Sequence, residues 1–179
     1  MQKVSPIPDV DIEALKAQVD ADIEARLEAE ADYARYIHRR GVRVGEMRLL
    51  VAMDATSEVA EMPPLFRLPG SPNGVRGLAN RHGRVVPVLD LRTLFENESE
   101  AKGGERLLVY GRGDDAVGLI VDSLPDRKKF TQDSAVALEE VTHPIVLYAQ
   151  AAYREDEDIW IDIDMKLLFA SIFNLDSGD

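Results

Sequence analysis

The sequence has no cysteine among its 179 residues. That excludes disulfides, thiolate metal sites and thiol nucleophiles, and it fits a reducing compartment, the cytoplasm. Long apolar runs are missing too. No stretch of about 18 apolar residues occurs, so no membrane insertion is expected. The first residues lack the basic-then-apolar pattern of a secretory leader. Positive charge is scarce: 21 Lys and Arg face 33 Asp and Glu, for a net charge of −12. Such a surface repels DNA, RNA and anionic lipid, so nucleic acid is not an expected partner, whereas a protein with a basic patch is compatible. The three histidines, His38, His82 and His143, lie far apart and without metal-ligand spacing. There is no Gly-x-Ser-x-Gly nucleophile turn. Gly111-x-Gly113 sits beside Asp114 and Asp115 in a hairpin, not before a helix, so it reads as a turn rather than a phosphate loop. Asp156, Asp158, Asp162 and Asp164 lack the glycine and the spacing of a calcium loop. No catalytic residue, cofactor or metal is therefore expected, and the chain reads as a binding module.

An apolar content of 45% suits a proper core. Residues 1–8, with Pro6 and Pro8, are expected to be disordered. Residues 9–40 contain no Gly or Pro, and Ile12, Leu15, Val19, Ile23, Leu27, Ala31, Ala34 and Ile37 recur mostly three or four apart. This predicts an amphipathic helix ending at Gly41, packed on its own domain or held against a partner or a second copy. Residues 41–175 change character, with short β-rich runs punctuated by turns and a closing amphipathic helix from Met165 to Phe173. There is no alternating strand–helix order, so the body is expected to be mainly β, a barrel or a pair of barrels.

The stretch from Phe66 to Phe95 organises that body. A Pro/Gly turn leads into an apolar run, Asn80-Arg81-His82-Gly83 reverses the chain, and Val85-Val86-Pro87-Val88-Leu89 follows. This predicts a hairpin, with Pro87 at an edge strand or a bulge. Asp90 precedes Leu91-Arg92-Thr93-Leu94-Phe95 as a natural N-cap. Asp122 ends the run Val117-Gly118-Leu119-Ile120-Val121 and reads as a turn-holding carboxylate, with Gly118 permitting close approach.

Gly77-Leu78-Ala79-Asn80, Gly83, Val85-Val86-Pro87-Val88-Leu89 and Asp90-Leu91 together resemble the signature of the CheW-like family of chemosensory adaptors. Three further blocks agree: Val44-Gly45-Glu46 with Leu49 to Val51, Glu58-Val59 with Arg67, and Val117 to Asp122 with Ile161 to Leu168. The proline-rich entry at Pro63-Pro64-Leu65 and the long leading helix look closest to the PilI-type members of type IV pilus systems. The resemblance implies two intertwined five-stranded barrels and no enzymatic activity. It implies two partners, the regulatory domain of a CheA-type histidine kinase and the cytoplasmic tips of methyl-accepting chemoreceptors. Carried over by position, the receptor-binding groove takes Thr56, Glu58, Val59, Arg67, Asn80, Arg81, His82, Leu124 and Arg127. Gly77, Gly83, Pro87, Asp90, Gly118 and Asp122 are the structural positions. His82 stands where the family pattern has arginine, with Arg81 one place earlier, so either Arg81 substitutes or the polar contacts at this tip differ. A module that binds kinase but not receptors, and a small-molecule-binding barrel, are the competing readings.

Overall fold

The computed structural model describes residues 11–96 and 104–173. The expected disorder over residues 1–8 and most of the polar loop from Asn97 to Gly104 fall outside them. The chain divides into two units, residues 1–36 and 37–179.

The first unit holds one helix, α1 (Ile12–Ala34), capped by Asp11, whose side chain accepts from the backbone N–H groups of Glu13 and Ala14. None of its residues is buried. The helix stops six residues short of the expected boundary. Ile37–Arg40 belong instead to strand β1 (Ile37–Val44), and Gly41 lies inside that strand. Pairing decides this: Ile37, His38, Arg39 and Arg40 face Phe130, Lys129, Lys128 and Arg127 across an antiparallel ladder. Tertiary pairing overrides the helical spacing of Ala34 and Ile37.

The second unit is built from two sheets. The first has the order β8-β1-β2-β11-β10-β9 and uses β1, β2 (Met47–Val51), β8 (Asp126–Phe130), β9 (Ala135–Val136), β10 (Ala149–Glu155) and β11 (Asp158–Ile163). It thus carries a short sixth strand beyond the five expected. The second has the order β3-β6-β7-β5-β4, from β3 (Thr56–Glu61), β4 (Val75–Arg81), β5 (Arg84–Leu89), β6 (Arg106–Tyr110) and β7 (Val117–Val121). Two helices complete the unit, α2 (Leu91–Phe95) and α3 (Met165–Phe173).

Strand alternation sends side chains to both faces of each sheet, and each face contributes residues to a buried cluster. Val117, Leu119 and Val121 of β7 join Val42, Leu49, Ile161 and Ile163 of the first sheet in a core shared between the sheets, with Leu168 and Phe169 of α3. The opposite face of the second sheet buries Ala79, Val86, Val88, Leu107 and Ile120 together. On the first sheet the opposite face buries Leu50, Phe130, Tyr153 and Trp160. There Phe130 and Tyr153 stack 5.0 Å apart, and Lys128 Nζ sits 4.5 Å over the Trp160 ring. Gly118 faces the second of these clusters, and a Cβ there would meet Leu107 Cδ1 at 2.7 Å.

Pro87 is on neither an edge strand nor a bulge. Strand β5 lies inside its sheet, between β7 and β4. Pro87 faces Leu78, whose backbone N–H and C=O both bond outward to Phe66 at 2.8 Å. The Leu78–Pro87 pair therefore exchanges no hydrogen bonds of its own, and the missing Pro87 donor would point toward β7. Strand β7 meets β5 only at Val88 and Leu89, so no ladder bond is lost. The bulge falls on β4 instead, between Val75 and Gly77.

Candidate functional site

The sequence around Asp90 builds a buried ionic hub rather than a simple cap. Asp90 is fully buried at the N-cap of α2, and its Oδ1 accepts from the backbone N–H of Arg92 at 3.1 Å. The Arg92 guanidinium is 1% exposed. It donates to Asp90 Oδ1 at 3.0 Å, to Asp122 Oδ1 at 3.2 Å and to Glu105. Arg76 donates to Asp90 Oδ2 at 2.8 Å. Asp122 Oδ2 in turn accepts from the backbone of Gly45 at 2.6 Å, in the turn between β1 and β2. Burial alone would lower the Arg92 pKa, but hydrogen bonds and charge from Asp90 and Glu105 outweigh it and raise it. One arginine thus ties α2, the end of β7 and, through Asp122, the first hairpin of the other sheet. The sequence gives no warning of it, because a lone arginine on a short helix ordinarily reads as exposed.

The tip of the β4–β5 hairpin gathers four of the residues assigned to the groove, Asn80, Arg81 and His82 with Glu58 of β3. Arg81 pairs with Arg84 across the hairpin, leaving His82 and Gly83 as a two-residue loop. Both have positive φ, 51° and 79°, the requirement of a type I′ turn. The Asn80 side chain accepts from the Gly83 backbone at 3.0 Å. Arg81 Nη2 donates to Glu58 Oε1. His82, 79% exposed, places Nε2 3.3 Å from Glu58 Oε2. Arg81 therefore supplies the guanidinium contact at this tip, with His82 as a second, outer partner. Burial raises the Glu58 pKa, yet the Arg81 hydrogen bond and charge, with help from His82, hold it below its ordinary 4.5. Stability from this pair is fully present above pH 4.5 and is lost as pH falls through the lower folded value. Acid unfolding followed by tryptophan fluorescence is expected to show a smaller stability loss across that window in Glu58→Gln than in the parent. Identical pH dependences would contradict the pairing.

The other assigned residues are spread out. Val59, next to Glu58 in β3, packs on the opposite face against the core between the sheets. Thr56 pairs with Tyr110 at the start of β3, before a register shift. Arg67 borders a separate depression with Arg76 and Thr93. Leu124, 67% exposed, and Arg127 on edge strand β8 belong to the first sheet's side, and no described hydrogen bond or ion pair links them to Glu58.

Two depressions flank the β6–β7 turn and share Gly111 and Ala116. One, of about 260 Å³, is walled by Glu58, Arg81, His82, Val86 and Val109. The other is larger, about 500 Å³, and lies between the second sheet and α3. Pro87, Tyr110, Val117, Phe169, Ala170 and Phe173 give it an apolar floor, with Asp114, Asp115 and Lys166 at its rim. Tyr110 and Phe169 meet edge to face at 5.6 Å, which fixes that floor. Sequence reasoning missed this groove. Its walls come from three distant segments, and the available signal was the scarcity of aromatics, two of which cluster in the closing helix.

The fold is a two-sheet β module, and among the described residues no group of His, Asp and Glu side chains could hold a metal ion. The CheW-like domain profile matches residues 41–173, and the chain belongs to the CheW-like domain family. Protein PilI of Pseudomonas aeruginosa is 31% identical over 126 residues, covering 70% of this chain and 68% of PilI. Protein FrzA of Myxococcus xanthus is 35% identical over 83 residues, covering 46% of this chain and 52% of FrzA. The scaffolding protein TtCheW of Thermoanaerobacter tengcongensis shares the fold, with a TM-score of 0.64 at 21% identity over 74% of this chain and 86% of that one. Among the described residues no helix is long and apolar enough to cross a membrane.

Proposed function

We propose that this chain is a non-enzymatic adaptor of a cytoplasmic bacterial chemosensory array. It joins the cytoplasmic tips of methyl-accepting chemoreceptors to the regulatory domain of a CheA-type histidine kinase, with twitching motility as the output. Family membership and the PilI relative support the class of partner. The observation that carries the reading is the groove of about 500 Å³ between the second sheet and α3. Its apolar floor and ionic rim suit the apolar face of an amphipathic helix, with aromatic anchors below and charges at the edge setting orientation. The Glu58–Arg81–His82 cluster lies just around the β6–β7 turn and offers a polar contact beside it.

Ala170 faces the groove from α3 without being buried, so a long cation there fills the groove while leaving the helix intact. Ala170→Arg is expected to weaken co-sedimentation with receptor signalling tips about tenfold or more, with an unchanged circular dichroism spectrum. Undiminished receptor binding by a folded Ala170→Arg protein would remove the groove assignment.

A further inference from the structure

Two surfaces of this chain lie outside the groove between the second sheet and α3, and their chemistries are complementary. The first is α1. Ile12, Leu15, Val19, Ile23 and Leu27 recur at spacings of three and four, and each is about half exposed or more. At 100° per residue they form a stripe along one side, with Glu13, Asp20 and Glu24 along one flank. The helix carries seven carboxylates against two cations, Lys16 and Arg26, a net charge of −5. Two such helices side by side repel, so α1 is poorly suited to pair with another α1.

The second surface is the β1–β8 ribbon, which is basic in a chain whose net charge is −12. Arg40 and Arg127 are directly opposed across the ladder and so project from the same face. Lys129 projects with them, since Lys128 and Phe130 of the same strand turn toward Trp160 and Tyr153. Arg39 and Lys128 have carboxylate partners, Asp162 and Glu155. Arg40 and Arg127 have no acidic partner among the described residues. Opposed like charges are unfavourable in an isolated sheet and become favourable when an anionic surface lies over them. Leu124 adds an exposed aliphatic side chain two residues before β8.

We propose that α1 of one copy docks on the Arg40–Arg127 face of a second copy, with the exposed Leu124 nearby in the chain. The aliphatic stripe meets Leu124, and Asp20 and Glu24 answer the two arginines. The two patches are different, so the contact is head-to-tail and propagates or closes into a ring rather than forming an isologous dimer.

Sedimentation velocity on the full chain tests this. Self-association is expected to depend on protein concentration and to weaken as salt rises from about 0.05 to 0.5 M. Arg40→Glu/Arg127→Glu is expected to weaken it about tenfold or more, and Asp20→Lys/Glu24→Lys, on the exposed helix, to do the same. Mixing the two variants restores association, because each reversed helix then meets a reversed patch and each native helix a native patch. A chain that stays monomeric under all conditions overturns the proposal. So does association that survives either charge reversal, or a mixture of folded variants that does not recover it. Receptor and kinase binding are read separately, so failure here leaves the adaptor reading standing.

Discussion

Arg92→Met is expected to destabilise the protein by about 3–5 kcal/mol, the cost of removing one partner from a buried ionic cluster. Asp90 is fully buried and Glu105 nearly so. Without the guanidinium, Asp90 retains only Arg76 among its cationic partners. Asp122 loses its Arg92 contact as well, so the clamp on the Gly45 turn is weakened at one end. Urea unfolding followed by Trp160 fluorescence reads the loss. The second variant that gives the number meaning is Asp90→Asn/Arg92→Met, which removes a buried charge together with its partner. It is expected to recover part of the loss relative to Arg92→Met, because much of the single-variant penalty is an uncompensated carboxylate rather than the attraction itself. A loss below about 1 kcal/mol for Arg92→Met would place the hub at the level of a surface ion pair and contradict its role.

Gly77→Ala is expected to cost about 2–3 kcal/mol, at the upper end of the range for a residue forced into a rare backbone conformation. Gly77 has φ of 148°, which side-chain-bearing residues rarely adopt. It also lies where Phe66 crosses β4: a Cβ would sit 2.6 Å from the Phe66 carbonyl oxygen and 3.0 Å from its carbon. These are backbone atoms and cannot rotate away. The contact that gives way is the Phe66–Leu78 bridge, whose two hydrogen bonds of 2.8 Å leave Pro87 free of any ladder obligation. Hydrogen exchange at the Phe66 and Leu78 amides should therefore accelerate in Gly77→Ala before exchange at the β6–β7 ladder does. Equal acceleration in both places would mean that the bridge is not a local unit.

Much of the architecture is legible in the sequence because local signals and tertiary placement agree. The β4–β5 hairpin, the cap at Asp90, the Val117–Val121 strand and the closing helix each carry their own pattern, whether alternation, a capping side chain or helical spacing. Residues 37–40 illustrate the opposite. Ile37-His38-Arg39-Arg40 continues the helical spacing and looks like a basic helix terminus, and only the partner strand β8, nearly ninety positions later, makes it a strand. Pro87 misleads for a related reason. A proline argues for an edge only if its missing donor would have met a neighbour, and here the neighbouring strand starts one residue later.

The site divides in the same way. Glu58, Arg81 and His82 come together because a hairpin tip and an adjacent strand suffice to place them. The groove needs Pro87, Tyr110 and Phe169 from three separate segments, and no local pattern connects them. Arg92 is hidden for an electrostatic reason. Its burial follows from carboxylates contributed by β7 and by the segment before β6, which composition and spacing do not pair with it.

The central claim is that one chain engages two partners at once through non-covalent surfaces. Co-sedimentation of the purified chain with membranes bearing a chemoreceptor signalling domain, with and without a CheA-type kinase, tests it most directly. The chain is expected to pellet with receptor alone, the kinase to pellet only when the chain is present, and Ala170→Arg to weaken both effects about tenfold or more while still binding kinase in solution. A chain that binds kinase but leaves receptor membranes unoccupied, or one that binds neither, would contradict it.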